Sequence, residues 1–497
     1  MTGILPLENS YKSLGDDFFQ EILPTPVAEP ALIAFNKELA QEIGLPVNGQ
    51  DAKVLAEIFS GNQVPEGVEP LAMAYAGHQF GQFVPQLGDG RALYFGDVAD
   101  AEGRYYDIHL KGTGRTRFSR GGDGRAALGP VLREYLVSEA MARLNVPTTR
   151  ALAAVTTGES VARERPLPGG VLTRVASSFV RVGTFQFFAA HGNDEAVKKL
   201  ADYVIARNYP VLKDAENPYL ELLGAVSERQ ARLIAQWMGL GFIHGVMNTD
   251  NMSVAGETID YGPCAFMDEY DHHKVFSSID HGGRYAYSNQ PGIGLWNLSR
   301  FAETLLPFLA DNVDAAVEVA KQVLENYPAQ FTAAWINTFK AKCGLIDSKA
   351  DNLDADRELI EGLLNVMHEH RADFTLTFYY LSRISSQDSE NETVLRELFT
   401  GSEGLEKWLE KWRARLKELE VSDVKRQSAM QQINPVYIPR NHQIEAAIRA
   451  AEDRNDLSLF HELHSVLREP YMEQAGREKY LQPPAPDEVV KQTFCGT

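Results

Sequence analysis

Apolar and polar positions change rhythm near residue 190. Before it, apolar runs are short and glycine is frequent; beyond it, apolar residues recur at helical spacing. Arg91–Val98 predicts a strand, Glu102-Gly103-Arg104 a turn, and Tyr105–Lys111 the return strand of a hairpin. Leu128–Leu144 places Leu132, Leu136, Ala140 and Leu144 on one helical face, and Pro147 ends the helix. Ala31–Ile43 predicts an amphipathic helix after an extended Pro24–Pro30 stretch, and Val171–Val182 a strand. Further helices are predicted at Ser227–Gly245, Leu298–Leu309, Val313–Glu325 and Leu359–His368, with a surface helix at Ser402–Glu420. Pro483-Pro484-Ala485-Pro486 predicts a loose tail running to Thr497. A β-containing front and a helical back predict an α+β fold with two lobes.

Composition narrows the class. The 497 residues suggest about three domain-sized units, or a two-lobed enzyme with an extension. With 44% hydrophobic and 23% charged residues the chain is globular, and no apolar run approaches the ~18 residues of a membrane span. Met1–Gln20 holds Lys12 against Glu8, Asp16 and Asp17, which is neither a signal nor a transit peptide, so a cytoplasmic protein is expected. Cys264, Cys343 and Cys495 are too few for a disulfide framework. The net charge of -20 argues against nucleic-acid partners, which need clustered positive charge. One local exception stands out. Lys111, Arg115, Arg117, Arg120 and Arg125 are interleaved with Gly112, Gly114, Gly121, Gly122 and Gly124, a pattern suited to a backbone nest for an anion or to a solvated face.

Four features then fall in a meaningful order. Gly88-Asp89-Gly90-Arg91 is a Gly-x-Gly turn before a strand, which reads as a hairpin turn or as backbone laid over phosphates. Lys111 ends the next strand, and Glu134 lies in the following helix. A kinase presents an ammonium to nucleotide phosphates with such a pair, although Glu134 also reads as a surface residue. His244-Gly245-Val246-Met247-Asn248-Thr249-Asp250-Asn251 has the His-to-Asn spacing of a kinase catalytic loop, but Val246 replaces the base. His244 reads as a packed core histidine, and Asp250 is the nearest carboxylate. Asp260-Tyr261-Gly262 matches the Asp-Phe-Gly turn that holds Mg²⁺.

Longer strings make the sequence recognisable: Met73–Gly81, Leu110–Gly114, Phe118–Arg125, Arg133–Leu136, His244–Asn251, Asp260–Pro263 and Asn434–Asn441. Through them the chain closely resembles the selenoprotein O, or YdiU, family of protein adenylyltransferases over nearly its whole length. The resemblance implies a protein-kinase-like two-lobed fold of the pseudokinase kind. It would comprise an N-terminal arm at 1–70, an N-lobe at 71–190, a helical C-lobe at 191–340, and a helical C-terminal extension and tail at 341–497. It implies transfer of AMP from ATP to Ser, Thr or Tyr hydroxyls of client proteins, with ATP bound inverted relative to kinases. Carried over by position, Gly88, Gly90 and Arg91 would line the nucleotide, and Lys111, held by Glu134, would join Asp123, Gly124, Arg174 and Arg181 around its phosphates. Asn251 and Asp260 would hold Mg²⁺ or Mn²⁺, and Asp250 would accept the proton. Eukaryotic relatives carry selenocysteine near the position of Cys495, and a Cys264–Cys495 disulfide would tie the tail to the active lobe. An ordinary phosphotransferase and a catalytically silent nucleotide-binding redox scaffold remain as alternatives; the missing base at Val246 speaks against the first, and the retained Lys111, Glu134, Asn251 and Asp260 against the second.

Overall fold

The structure is a computed structural model describing residues 5–46, 49–346, 352–387 and 392–494. Its front half is built on one antiparallel sheet. The strands are β1 (Phe19–Glu21), β2 (Ala31–Phe35), β3 (Leu71–Met73), β6 (Ala92–Ala99), β7 (Tyr105–Lys111), β8 (Ala126–Ala127), β9 (Arg150–Ala162) and β10 (Pro166–Ala176). They run in the order β1-β3-β6-β7-β10-β9-β2, with β8 beside β10; β4 (Gly77–Gln79) and β5 (Gln82–Val84) form a separate small hairpin. The segment before residue 70 thus supplies both edge strands.

Strand periodicity sorts this sheet into an apolar and a chemical face. Ile108 and Leu110 of β7 pack with Phe95, Val155 and Val171 against Leu39, Leu55 and Phe59 of the short helices Lys37–Glu42 and Ala52–Ser60. The alternate residues Asp107, His109 and Lys111 share the opposite face. Pairing sets Arg174 of β10 opposite His109, and Leu172 opposite Lys111. The helix Leu128–Arg143 buries Leu132, Leu136 and Ala140 with Ala154 and Leu172 of the sheet. Burying one such aliphatic side chain contributes about 1.5–3 kcal/mol.

Beyond residue 190 the regular elements among the described residues are helices, apart from the two-residue strands β11 (Phe242–Ile243) and β12 (Ala265–Phe266). Pro218–Gly239, Gln290–Leu305, Val313–Glu325 and Tyr327–Lys342 pack around two cores, one containing Leu223 and Leu298 and the other Ile234 and Phe339. None of the described helices is long and apolar enough to cross a membrane.

Several expectations are corrected. Ala31–Ile43 is not one helix: Ala31–Phe35 pairs with β9, and a short helix follows only after Asn36, whose side chain accepts from Leu39 N. Val171–Val182 is not one strand, because β10 stops at Ala176 and Arg181 caps the helix Val182–Ala190. The helix expected at Ser227 starts at Pro218, where Asn217 caps it, and ends at Gly239. The helix Glu403–Leu419 is only half a surface helix, since Leu405, Trp408, Leu409, Trp412 and Leu416 are buried. The tail is not loose throughout. Thr493 is buried, its N–H donates to Phe276 O at 2.8 Å, and its hydroxyl donates to Pro263 O at 2.5 Å. Cys264 is buried, and Cys495 lies outside the described residues.

Candidate active site

Five charged side chains, from the sheet, the helix Leu128–Arg143, the N-terminus of the helix Val182–Ala190 and the Asp-Tyr-Gly turn, meet in one network. Lys111 Nζ lies 2.7 Å from Glu134 Oε2 and 3.2 Å from Asp260 Oδ1. Arg174 Nη1 reaches Glu134 Oε1 at 3.2 Å and Asp260 Oδ1 at 2.6 Å. Arg181 Nη1 donates to Asp260 Oδ2 and to the backbone carbonyl of Asp250, both at 2.9 Å. The Arg181 guanidinium also lies 4.5 Å from the centroid of the Tyr75 ring. Asp260 has φ 60°, a left-handed conformation that is uncommon for a residue with a side chain and is frequent at functional sites.

The electrostatics follow from this arrangement. Burial alone would raise the Asp260 carboxyl, but Lys111, Arg174 and Arg181 together outweigh it and hold the group well below the ordinary carboxylate range. Glu134 is likewise buried and is lowered by Lys111 and Arg174.

Behind the arginine lies a relay that sequence reasoning missed. Arg174 Nη2 donates to His109 Nδ1 at 2.7 Å, so His109 carries its proton on Nε2 and donates to Asp89 Oδ2 at 3.0 Å. Asp89 Oδ2 also accepts from Met73 N at 3.0 Å. Burial lowers His109, which keeps the neutral tautomer that can accept from arginine. The signal was present as His109 two residues before Lys111 on a strand, and as Asp89 between two glycines.

Asp250 sits on the other side of Arg181. Asn248 precedes a single tight turn, Thr249–Asn251, and the β4–β5 hairpin folds down on it. His78 N donates to Thr249 Oγ1 at 2.7 Å, Phe80 N donates to Asn248 Oδ1 at 3.1 Å, and Gln79 Nε2 donates to Asp250 Oδ2 at 3.3 Å. Asp250 Oδ1 is buried without a hydrogen-bond partner. A Cβ on Gly77 would stand 2.5 Å from that oxygen, so only glycine lets the hairpin approach so closely. Burial dominates here and pushes Asp250 up to about 6, with Arg181 pulling against it.

His244 is a core residue. It is fully buried, donates from Nε2 to Ile259 O at 2.8 Å and stacks on Trp237. Val246 is buried, and its carbonyl accepts from Asn251 Nδ2 at 3.0 Å, which leaves the Asn251 carbonyl oxygen outside that bond.

The remaining candidates sit apart from this network. Gly88 and Gly90 let Phe118 and Ser119 close over the turn; a Cβ on Gly88 would meet the Phe118 ring at 2.3 Å. Gly124 packs on Gly114, whose N–H donates to Gly124 O at 3.0 Å. Asp123 pairs with Arg163 at 2.8 Å. Within the basic segment, Arg125 donates to the carbonyls of Thr25 and Pro26, while Arg115, Arg117 and Arg120 are exposed. Arg91 is half-buried at the start of the strand that pairs with Lys111.

The donor set suits a hard divalent cation. The Asn251 carbonyl and the Asp260 carboxylate both offer oxygens.

Comparison with known proteins agrees with this chemistry. The family model described as "Protein adenylyltransferase SelO" matches residues 4–468. A protein of Rhizobium leguminosarum bv. trifolii named "Protein nucleotidyltransferase YdiU" is 57% identical over 494 residues, covering 99% of this chain and 97% of that protein. Proteins of the same name from two strains of Rhodopseudomonas palustris are 57% identical over 492 residues, covering 99% of each chain, and 56% identical over 497 residues, covering 100% of each.

Proposed function

The chain belongs to the SelO family of protein adenylyltransferases, and from that premise we propose that it transfers AMP from ATP to Ser, Thr or Tyr hydroxyls of client proteins, releasing pyrophosphate. The observation that carries this reading is the convergence of Lys111, Arg174 and Arg181 on Asp260. One lysine suffices in a kinase, where ADP leaves. Pyrophosphate carries more charge, and two preorganised guanidinium groups are suited to stabilise it as it departs.

The residues take distinct parts. Asn251 and Asp260 would hold Mg²⁺, or Mn²⁺, which shares its oxygen preference, and the ion would supply charge neutralisation between the phosphates. Lys111, steered by Glu134, and Arg174, steered by His109 and Asp89, bind the phosphate oxygens. Gly88, Gly90 and Arg91 line the nucleotide, and Asp123 and Gly124 shape the glycine-rich loop beside it. The client hydroxyl oxygen bonds to the α-phosphorus, the bond from that phosphorus to the bridging oxygen breaks, and the hydroxyl proton passes to Asp250. An inverted ATP places the α-phosphate where Asp250 and the metal ligands meet. This division corresponds to a kinase-like pair of lobes at 71–190 and 191–340, with an arm at 1–70, an extension at 341–497, and a cytoplasmic setting where ATP is supplied.

Incubation with ATP labelled at the α- or γ-phosphate tests the reading. Protein labelled from α alone is expected. Label from γ alone indicates phosphotransfer, and label from neither indicates a silent scaffold; either overturns it.

A further inference from the structure

A second cluster of metal-ligand chemistry lies in the segment that follows the Asp-Tyr-Gly turn. Asp271 and His272 face His368, which stands in the last turn of the helix Leu353–His370. One ligand atom from each of the three lies within 4.8 Å of the others. The His272 and His368 rings are 4.0 Å apart between centroids. His368 Nδ1 is shielded from solvent and has no hydrogen-bond partner; Asp271 Oδ1 stands 3.6 Å away.

That spacing is too long for a hydrogen bond but close to the edge of a coordination tetrahedron. With metal–nitrogen and metal–oxygen distances near 2.0–2.1 Å, neighbouring ligand atoms lie about 3.4 Å apart. We propose that Asp271, His272 and His368 bind a borderline transition ion of the Zn²⁺ class. Two imidazoles and one carboxylate select such ions, whereas Mg²⁺ prefers the all-oxygen donors of Asn251 and Asp260. Three protein ligands leave a further position for water, and the half-buried side chains leave an entry path.

The ligands are held in place before any ion arrives. Tyr270 N donates to Ala372 O at 2.9 Å, and Phe374 N donates to Asp268 O at 2.7 Å. Arg440 bridges Asp268 and Asp373 across the same seam. Asp271 Oδ1 accepts from His273 N at 2.9 Å, which orients the carboxylate. The loop and the helix end are thus aligned by contacts independent of the three ligands, so binding costs little reorganisation. A bound ion would fasten the segment after Asp260 to the C-terminal helical region.

The test uses the full chain in saturating Mg²⁺, titrated with Co²⁺ and read by visible absorption. Wild type is expected to show one equivalent of intense cobalt bands, displaced by Zn²⁺. His368→Ala should weaken binding at least about tenfold, as loss of a ligand exceeds the 10–100-fold cost typical of losing its supporting partner. Asp260→Asn should leave the bands in place. His272→Ala, in a loop, gives the same reading should the helix variant alter the melting temperature. Absence of bands in wild type, or wild-type Co²⁺ affinity retained in both His368→Ala and His272→Ala, overturns the proposal.

Discussion

Asp250 and Asp260 share the guanidinium of Arg181, yet their surroundings differ in kind. Asp260 faces Lys111, Arg174 and Arg181, and both of its oxygens are bound. Asp250 offers one oxygen to Gln79 at 3.3 Å and keeps the other buried and unpaired. Asp250 is buried and the Asp260 side chain is only 19% exposed, so desolvation acts on each in the same direction; the number of cations decides the outcome. Three cations hold Asp260 well below the ordinary range, while Asp250 rises to about 6. Two carboxylates pushed apart in this way are suited to different roles, one as an anchor and one as a proton acceptor. Under the proposed function, binding falls to the Asp260 side and proton transfer to the Asp250 side.

The largest effect should come from breaking the Asp260 side. Asp260→Ala removes the carboxylate that Lys111, Arg174 and Arg181 share. Transfer should be abolished, and stability should fall by about 3–5 kcal/mol, as for other buried pairs stripped of one partner. Denaturant unfolding monitored beside metal–ATP calorimetry checks both; wild-type binding and turnover would remove Asp260 from the site. Asn251→Ala should be milder, because a neutral ligand attracts the ion less and no buried charge is left behind.

On the Asp250 side, Gly77→Ala sharpens the comparison without deleting a charge. The new methyl group would press on Asp250 Oδ1, so turnover should fall, with an overpacking cost of about 1–3 kcal/mol in stability. A variant with unchanged turnover would show that the Asp250 position is not critical.

Lys111 and Glu134 form a smaller, coupled unit. Glu134 also holds Arg174, so Glu134→Ala loosens two cations at once. A double-mutant cycle should give a coupling of about 0.5–3 kcal/mol in transition-state stabilisation. Additive losses would mean that the ion pair does not position Lys111 during turnover.

The smallest effect is a matter of pH and sign. Folding raises Asp250 from 3.8 to about 6, so the folded protein binds its proton more tightly than the unfolded chain. This group therefore supports the fold fully below the unfolded value, and the support fades as pH rises through the folded one. In metal-free buffer above pH 6, Asp250→Asn should be more stable than wild type by on the order of 2 kcal/mol, with the difference vanishing in acid. Thermal melts in chelator across that range read it; a variant less stable at every pH would contradict the burial argument.

The same two sides differ in how much of them the sequence displays. The Lys111–Glu134 pair and the Asp-Tyr-Gly turn are spaced by local elements, the β7 strand and the helix after it, whose periodicity is readable. The Arg174–His109–Asp89 relay depends on the β7–β10 register and on a turn two strands away, which no local pattern encodes. The Asp250 pocket depends on the Gly77–Val84 hairpin, whose string was recognisable but whose contact with Thr249 and Asp250 is tertiary. Ala31–Phe35 was misread because a continuous apolar run fits a buried strand and a helix face equally well, and pairing with β9 decides it. Val313–Glu325 was read to the residue because Asn312 caps it.

The division of labour between the two aspartates is tested most directly by Asp250→Asn, with metal–ATP affinity and single-turnover AMP transfer measured on the same protein. The account predicts unchanged affinity, because Asn251 and Asp260 are intact, and transfer slowed by about 10²–10⁴-fold, the usual worth of a general base. Lost affinity with transfer intact at saturating ATP would contradict it, making Asp250 a binding ligand and leaving the proton acceptor elsewhere.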